Sequence, residues 1–540
     1  MSSNKPRIAE ADAFAEAGAG RAQGQELGSP QTSYRQIMKS SVLIGGSSFL
    51  SIAIGAARSK VMAVLLGSEG FGLLGLYSSI VDLTLSVAAL GIGSSGVRQI
   101  AESASTGDEV RIARTVTVLR KTALLLGIIA ALIVAGSSEF LSDFTFGGHA
   151  HSGALTILGL TVFLRLVSSG QSALIQGMRR IRDLAAMNIL GALLGAFAST
   201  AMVYAFGEKG VAPSLAGGAA ITVVTSWWYS RKVKIHHSVM TPSEVVHEAA
   251  ALLRLGFAFM VSSVAMMGAS YAVRTILLRM DGLEAAGLYS AAWTLGGLYV
   301  GIILQAMGAD FYPRLVGVVQ KNVECCRLVN EQTQVSLLLA GPGVIATIAF
   351  APLIIEILYS ADFSGATGVT RWICLGIALR AITWPMGFII VAQNRQALFV
   401  MVDVAWALAN VGLTIVCVQE FGLDGAGVAF FASYAFHGVL VYLIVNRING
   451  FRWSRANYET AAFILGSVGI VFGFLYLSAS ALGVSIAAAV FIFNTMYSIR
   501  RLWTLLSPTR IPHFVRGFFL LNILKPRGFS KARNSEHRGK

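Results

Sequence analysis

Ten ionisable side chains sit inside long apolar runs of this 540-residue sequence: Arg58, Lys60, Asp82, Arg165, Arg274, Arg279, Glu356, Arg371, Arg380 and Asp403. Seven are bases and three are acids, so the apolar part of the chain is cationic. A guanidinium keeps its proton under ordinary conditions and must find an anion or water when hydrocarbon surrounds it. Its planar fork matches the oxygens of a phosphate. The chemistry these residues suit is recognition of an anionic group in an apolar medium. Asp82, Glu356 and Asp403 suit either ion coupling through a titrating carboxylate or salt bridges to the arginines.

Such residues need a membrane around them, and the composition supplies one. Fifty-five per cent of the chain is hydrophobic and 13% is charged, about half the charge of an ordinary soluble domain. The formal net charge of +15 comes from short basic clusters between apolar runs, not from the dense basic face that a nucleic-acid binder presents. Membrane lipids are the expected surroundings, and no nucleic acid is expected. Cys325, Cys326, Cys374 and Cys417 lack zinc-ligand spacing, so neither a metal site nor a disulfide framework is expected, and no cofactor.

Hydrophobicity gives fourteen segments long enough for a hydrocarbon core of about 30 Å. They are 41–66, 71–97, 112–137, 153–177, 184–206, 211–230, 252–279, 286–309, 333–359, 366–392, 396–419, 425–446, 459–478 and 482–498. Loops after even-numbered segments carry the bases, among them Arg98, Arg111, Arg114, Arg179, Arg180, Arg182, Arg231, Lys232, Arg314, Arg395 and Arg447. Loops after odd-numbered segments carry acids such as Glu69, Glu139, Asp143, Asp281, Asp362 and Asp424, with Lys209 the main base. Because Lys and Arg collect on the cytoplasmic side, both termini are expected there. The first apolar run is too long for a signal-peptide core, so no cleaved leader is expected.

The predicted class is an all-α polytopic membrane protein of about 14 transmembrane helices. Residues 1–35 read as a disordered cytoplasmic tail, 36–235 as one six-helix bundle, 236–251 as a cytoplasmic linker and 252–450 as a second six-helix bundle. Residues 451–506 read as an added transmembrane pair. Residues 507–540 read as a basic cytoplasmic tail in which the apolar stretch Phe514 to Leu524 lies on anionic lipid as an interfacial helix.

The two bundles read as a parallel internal repeat. Gly75-Leu76-Tyr77-Ser78 matches Gly287-Leu288-Tyr289-Ser290 at an offset of 212, Arg58 matches Arg274 at 216, and Arg165 matches Arg380 at 215. Arg179 pairs with Arg395 at 216, and Phe206-Gly207 with Phe421-Gly422 at 215. At 1.5 Å per residue Arg165 and Arg380 fall near mid-depth, with Arg58, Lys60 and Arg274 in the outer half. Two readings stand: Arg58, Arg165, Arg274 and Arg380, with Lys60, line a cationic central cavity for an anionic headgroup, or they are structural bridges to Asp82, Asp403 and helix-end carbonyls. Arg279 and Arg371, near segment ends, are expected to snorkel to the interface.

Other patterns carry plain readings. Gly91-Ile92-Gly93-Ser94-Ser95-Gly96 fits GxGxxG but is read as the end of a membrane helix without a βαβ unit. Gly191/Gly195, Gly297/Gly301 and Gly469/Gly473 are expected at close helix contacts. His149 and His151 are expected to be solvated, and Pro342, Pro352 and Pro385 to kink segments nine and ten.

Ala57-Arg58-Ser59-Lys60, then Leu66-Gly67-Ser68-Glu69-Gly70-Phe71-Gly72 and the Gly-Leu-Tyr-Ser element, resemble the first helix pair of O-antigen translocases. Ala309-Asp310-Phe311-Tyr312-Pro313-Arg314-Leu315 and Leu358-Tyr359-Ser360-Ala361-Asp362-Phe363 resemble that family too. It belongs to the multidrug/oligosaccharidyl-lipid/polysaccharide (MOP) exporter superfamily, and the likeness spans about residues 35 to 446. The resemblance implies a flippase, not an enzyme, that moves undecaprenyl-diphosphate-linked oligosaccharide, an O-antigen or exopolysaccharide repeat unit, across the cytoplasmic (inner) membrane by alternating access. A polysaccharide polymerase or chain-length regulator is the further partner it implies. The added helix pair is similar to that of fourteen-helix lipid II flippases, which keeps a lipid II flippase open as an alternative. A cation-coupled multidrug exporter of the same superfamily is the other, although it should place acids in its cavity. An outer loop of about fifteen residues, 138–152, is short for an enzyme's acid/base groups.

Overall fold

A computed structural model describes residues 30–106, 108–233, 235, 240–477 and 481–505. The tail preceding Pro30 and the stretch Phe514 to Leu524 lie outside the described residues. Every regular element among the described residues is helical. In chain order they are α1 (Pro30–Ala88), α2 (Ile92–Thr106), α3 (Glu109–Gly136), α4 (Ser138–Phe146), α5 (Ser152–Gly177), α6 (Ile181–Phe206), α7 (Val211–Ser230) and α8 (Pro242–Val318). Then follow α9 (Asn322–Ala349), α10 (Ala351–Leu358), α11 (Ala366–Ala392), α12 (Gln396–Phe421), α13 (Leu423–Asn449), α14 (Arg455–Leu477) and α15 (Ala481–Leu505).

Eleven described helical spans are long and apolar enough to cross a membrane. Three of them, Gly46–Ala88, Ile181–Ser230 and Met260–Leu304, each hold two of the segments expected from hydrophobicity. A glycine at positive φ breaks each one: Gly67, Gly207 and Gly282. The apolar residues that a soluble protein would hide stand exposed on these helices, Phe197 at 79% and Leu408 at 70%. That is the surface expected where the solvent is lipid. The protein is a multi-pass membrane protein.

The described residues form two compact units, one drawn from 1–66 and 80–260, the other from 67–79 and 261–540. In the first, α3 packs on α5, α5 on α7 and α6 on α7. In the second, α9 packs on α11, α11 on α13 and α12 on α13, while α14 and α15 both lie on α9.

Backbone geometry gives the repeat its register. Gly67 and Gly282, Arg179 and Asn394, and Gly207 and Gly422 are three pairs at positive φ, all 215 residues apart. Two landmarks of the sequence therefore shift. The residue equivalent to Arg179 is Asn394, and Arg180 and Arg395 take the same place as the residues preceding α6 and α12. The two Gly-Leu-Tyr-Ser elements stand three residues out of register, and the true counterparts are Gly72 and Gly287. These two glycines meet within the second unit. A Cβ on Gly287 would lie 1.9 Å from the Ser68 carbonyl oxygen, and one on Gly72 would lie 2.3 Å from that of Leu283. Only hydrogen fits at either site.

Several other expectations are corrected. Segment 71–97 stops at Ala88, turns through Leu90 and Gly91 at positive φ, and restarts as α2, so the GxGxxG glycines open a helix and do not close one. Gly91 is needed there because an added Cβ would fall 2.5 Å from the Gly256 Cα in the same unit. Residues expected as linker are already helical from Pro242, where Thr241 and Glu244 cap α8: the Thr241 N–H donates to Glu244 Oε2 at 2.8 Å. Segment nine is interrupted at Phe350, and Pro352 begins α10, where a proline lacks no bond; Pro342 and Pro385 do lie inside helices. Gly191 and Gly195 sit against α7, whereas nothing lies within 4 Å of a Cβ at Gly297, Gly301, Gly469 or Gly473.

The motifs behind the family resemblance are packing elements. In the second unit Phe71 meets the edges of Tyr359 and Phe363 at 5.4 and 5.6 Å between centroids, and Phe311 packs on Phe388 of α11 at 5.8 Å.

Candidate functional site: guanidinium groups within the apolar helices

In the first unit the structure brings Arg58, Asp82 and Arg165 together. Asp82 lies on α1 two residues beyond the re-entry of that helix into the unit, and Arg165 lies midway along α5. Arg165 Nη1 donates to Asp82 Oδ1 at 2.6 Å, and the two side chains are 41% and 45% exposed. Arg58 is close enough to Arg165 for the two like charges to act on each other. Its Nε is buried without an acceptor. Two guanidiniums thus stand near one another with a single carboxylate, bonded to Arg165, which leaves the cluster cationic. Lys60 is half-buried, and at two residues from Arg58 it projects from the other side of the helix.

In the second unit Arg274 and Arg380 have different surroundings. Arg274 is 8% exposed; its Nε donates to Ser290 Oγ at 3.2 Å and its Nη1 to the Ser270 carbonyl at 2.9 Å, with Ser270 Oγ as a further acceptor. The guanidinium also lies over the Tyr289 ring at 5.6 Å. The register explains its divergence from Arg58: Arg58 precedes its glycine break by nine residues and Arg274 by eight, a difference of about 100° around a helix.

Arg380 keeps strict register with Arg165, and its side chain has no hydrogen bond or ion pair among the described residues. It acts electrostatically on Tyr434 and His437, both on α13. Tyr434 and His437 are 5.8 Å apart between ring centroids, and Trp406 of α12 lies 5.4 Å from Tyr434. His437 Nδ1 and Trp406 Nε1 are buried without partners. Asp403 also acts on Tyr434.

The remaining predicted residues lie elsewhere. Glu356 is on the exposed side of α10, and Arg279 is exposed. Arg371 does not snorkel: its Nε donates to the Ile348 carbonyl and its Nη1 to the Leu475 carbonyl, each at 3.3 Å, with Asp424 close enough to interact. It holds the ends of α9 and α14 through carbonyls that the helices cannot satisfy themselves. His151 is not solvated but half-buried, stacked on Phe146 at 4.0 Å; His149 is exposed. The four cysteines are free thiols.

Sequence reasoning passed over His437, Tyr434 and Trp406. A search of the apolar runs for histidine as well as for the four charged residue types would have found His437, and its three-residue spacing from Tyr434 puts both on one helix face.

The comparisons with known proteins follow the same lines. The family model "polysaccharide biosynthesis protein" matches residues 37–318, more than half of the chain. The probable low-salt glycan biosynthesis flippase Agl15 of Haloferax volcanii is 21% identical over 414 residues, 76% of this chain and 84% of that protein. Among solved structures, an inward-facing multidrug resistance MATE family transporter of the MOP superfamily aligns with a TM-score of 0.64 at 14% identity, over 76% of this chain and 96% of that one. The lipid II flippase MurJ in an inward closed conformation aligns with a TM-score of 0.62 at 13% identity, over 85% and 99%. These structural likenesses establish the fold. The chain belongs to the polysaccharide biosynthesis protein family and has the fold of MOP superfamily membrane transporters.

Proposed function

We propose that the protein is a flippase that carries undecaprenyl-diphosphate-linked oligosaccharide, an O-antigen or exopolysaccharide repeat unit, from the cytoplasmic to the periplasmic leaflet of the inner membrane by alternating access. The observation that carries this reading is the sign of the charge within the apolar helices. Arg58, Arg165, Arg274, Arg380 and Lys60 outnumber Asp82 and Asp403, and a lipid diphosphate cannot enter hydrocarbon without such partners. The Agl15 relative, a glycan biosynthesis flippase by name, supports the same substrate class. A drug exporter for cations would need the opposite sign.

In this reading 36–235 and 252–450 are the two transport bundles, 451–506 is an added pair, and both termini are cytoplasmic because the basic loops follow even-numbered segments. Asp403 and Asp82 couple the movement to an ion or balance the arginines, and Glu356 stands apart at the outer side. A polymerase or chain-length regulator receives the product. One observation favours a second reading, a lipid II flippase: α14 and α15 extend the chain beyond twelve helices, and the MurJ likeness covers more of it than the MATE likeness does.

The test is complementation. Arg165→Ala and Arg380→Ala, expressed and inserted at wild-type levels in a strain lacking the protein, should each abolish surface glycan. Normal glycan in both removes these residues from transport.

A further inference from the structure

The nine residues of α4 carry their polarity the reverse way for a helix in water. Ser138, Ser142 and Thr145 are buried, and Ser142 is fixed there: its Oγ donates to the Gly148 carbonyl and accepts from the His151 backbone N–H at 3.3 Å. Phe140 and Phe144, one turn apart, stand 70% and 57% exposed, their rings stacked with 6.1 Å between centroids. At about 100° per residue the phenylalanines fall on nearly the opposite side of the helix from the buried hydroxyls. A helix beside water turns its apolar face inward; α4 turns it outward. Depth supplies the reason. Lys121 is the last charged residue of α3, and the helix from Thr122 to its end at Gly136 covers about 22 Å of a hydrocarbon core of about 30 Å. The following helix therefore lies at the boundary between acyl chains and headgroups. Leu125, Ile129, Leu132 and Ile133 are exposed on the preceding stretch of α3, and Phe140 and Phe144 continue the apolar surface that those residues present to lipid.

We propose that α4 is an interfacial helix whose Phe140–Phe144 face enters the headgroup–acyl boundary of the leaflet in which α3 ends, and that zwitterionic phospholipid covers this face. Glu139 and Asp143, with no base among the nine residues, make α4 negative, and both acids are exposed. Anionic headgroups therefore add no attraction, and apolar burial alone holds the helix in place. Because α4 packs on α5, this anchor fixes against the membrane surface the helix that carries Arg165. The inference holds whatever the protein transports.

The test uses the full-length protein in phosphatidylcholine nanodiscs, with trifluoromethylphenylalanine in place of Phe140 or Phe144 and, for comparison, of Leu132 in α3 or His149 in the loop that follows α4. Fluorine line broadening by a nitroxide on the upper acyl chain of the lipid should exceed that by a water-soluble gadolinium chelate about threefold at Phe140, Phe144 and Leu132, and fall below it at His149. Replacing about a third of the lipid with phosphatidylglycerol should change the ratio at Phe144 by less than about twofold. The double variant Phe140→Ser/Phe144→Ser should quicken amide exchange in α4 roughly tenfold and leave that in α5 within about twofold of wild type. Broadening at Phe140 and Phe144 by the chelate alone makes the face a water-exposed patch. Broadening by neither reagent assigns it to a second copy or another protein, and a several-fold gain of lipid contact with phosphatidylglycerol assigns it to anionic headgroups. Each of these results, or unchanged exchange in α4 of the double variant, overturns the inference.

Discussion

Arg165 and Asp82, 83 residues apart in the chain, are joined by a 2.6 Å bond from Nη1 to Oδ1, while the arginine in the same register of the other half, Arg380, has a glycine where that aspartate would stand. The repeated register thus carries the base in both halves and the acid in one half only. A transporter whose halves are equal in backbone is unequal in charge.

If the Arg165–Asp82 bond positions α5 against α1, removing one partner leaves the other alone in an apolar setting. Asp82→Asn should reduce glycan export at least as much as the double variant Asp82→Asn/Arg165→Gln, because the double change leaves no lone charge. Export by lectin staining of whole cells, compared with protein level, reads this out. A double variant worse than both single changes would mean that the charges act separately.

Gly287 lies against the Ser68 carbonyl with no room for a methyl group. Gly287→Ala should cost roughly 1–3 kcal/mol through forced separation of the two backbones, seen as a lower melting midpoint in detergent. Gly297→Ala, in open space on the same helix, should leave the midpoint unchanged or raise it.

Arg371 holds α14 to α9 by bonding the carbonyls of Leu475 and Ile348. Arg371→Ala should release the added helix pair at a cost of roughly 2 kcal/mol. Amide exchange in α14 should then quicken more than tenfold while that in α5 stays as it was. Uniform acceleration in both helices would assign the effect to global stability.

His151, outside the spanning helices, has its pKa lowered by burial against Phe146, an effect that Glu208 partly offsets. A histidine with a depressed pKa binds its proton more readily in the unfolded chain, so its contribution to stability is present above the ordinary value of about 6.5 and is lost as pH falls through the folded value. The imidazole resonance of His151 should titrate below that ordinary value, and Glu208→Gln should move it lower still. A midpoint raised by Glu208→Gln would contradict the arrangement.

Much of this architecture was legible in the residues. Apolar length and loop charge place the helices, since lipid imposes both, and Arg165 and Arg380 are visible as an in-register pair. What sequence could not give was the finer register. Gly-Leu-Tyr-Ser matches by letters three residues away from the true counterparts Gly72 and Gly287, because the constraint there is a backbone contact that only a glycine survives. Arg274 and Arg58 looked equivalent at an offset of 216, yet one residue of slip turns Arg274 onto Ser290 and Ser270. Arg371 was misread because its partners are carbonyls, which no residue type reveals.

The most direct test of the central claim is the lipid fraction of a strain lacking this protein. Mass spectrometry should find undecaprenyl-linked oligosaccharide accumulated, and a lectin applied to oriented vesicles should find it on the cytoplasmic leaflet, with both effects reversed by the wild-type chain and not by Arg380→Ala. An unchanged lipid-linked pool together with heightened sensitivity to cationic compounds would contradict the account and point to drug export.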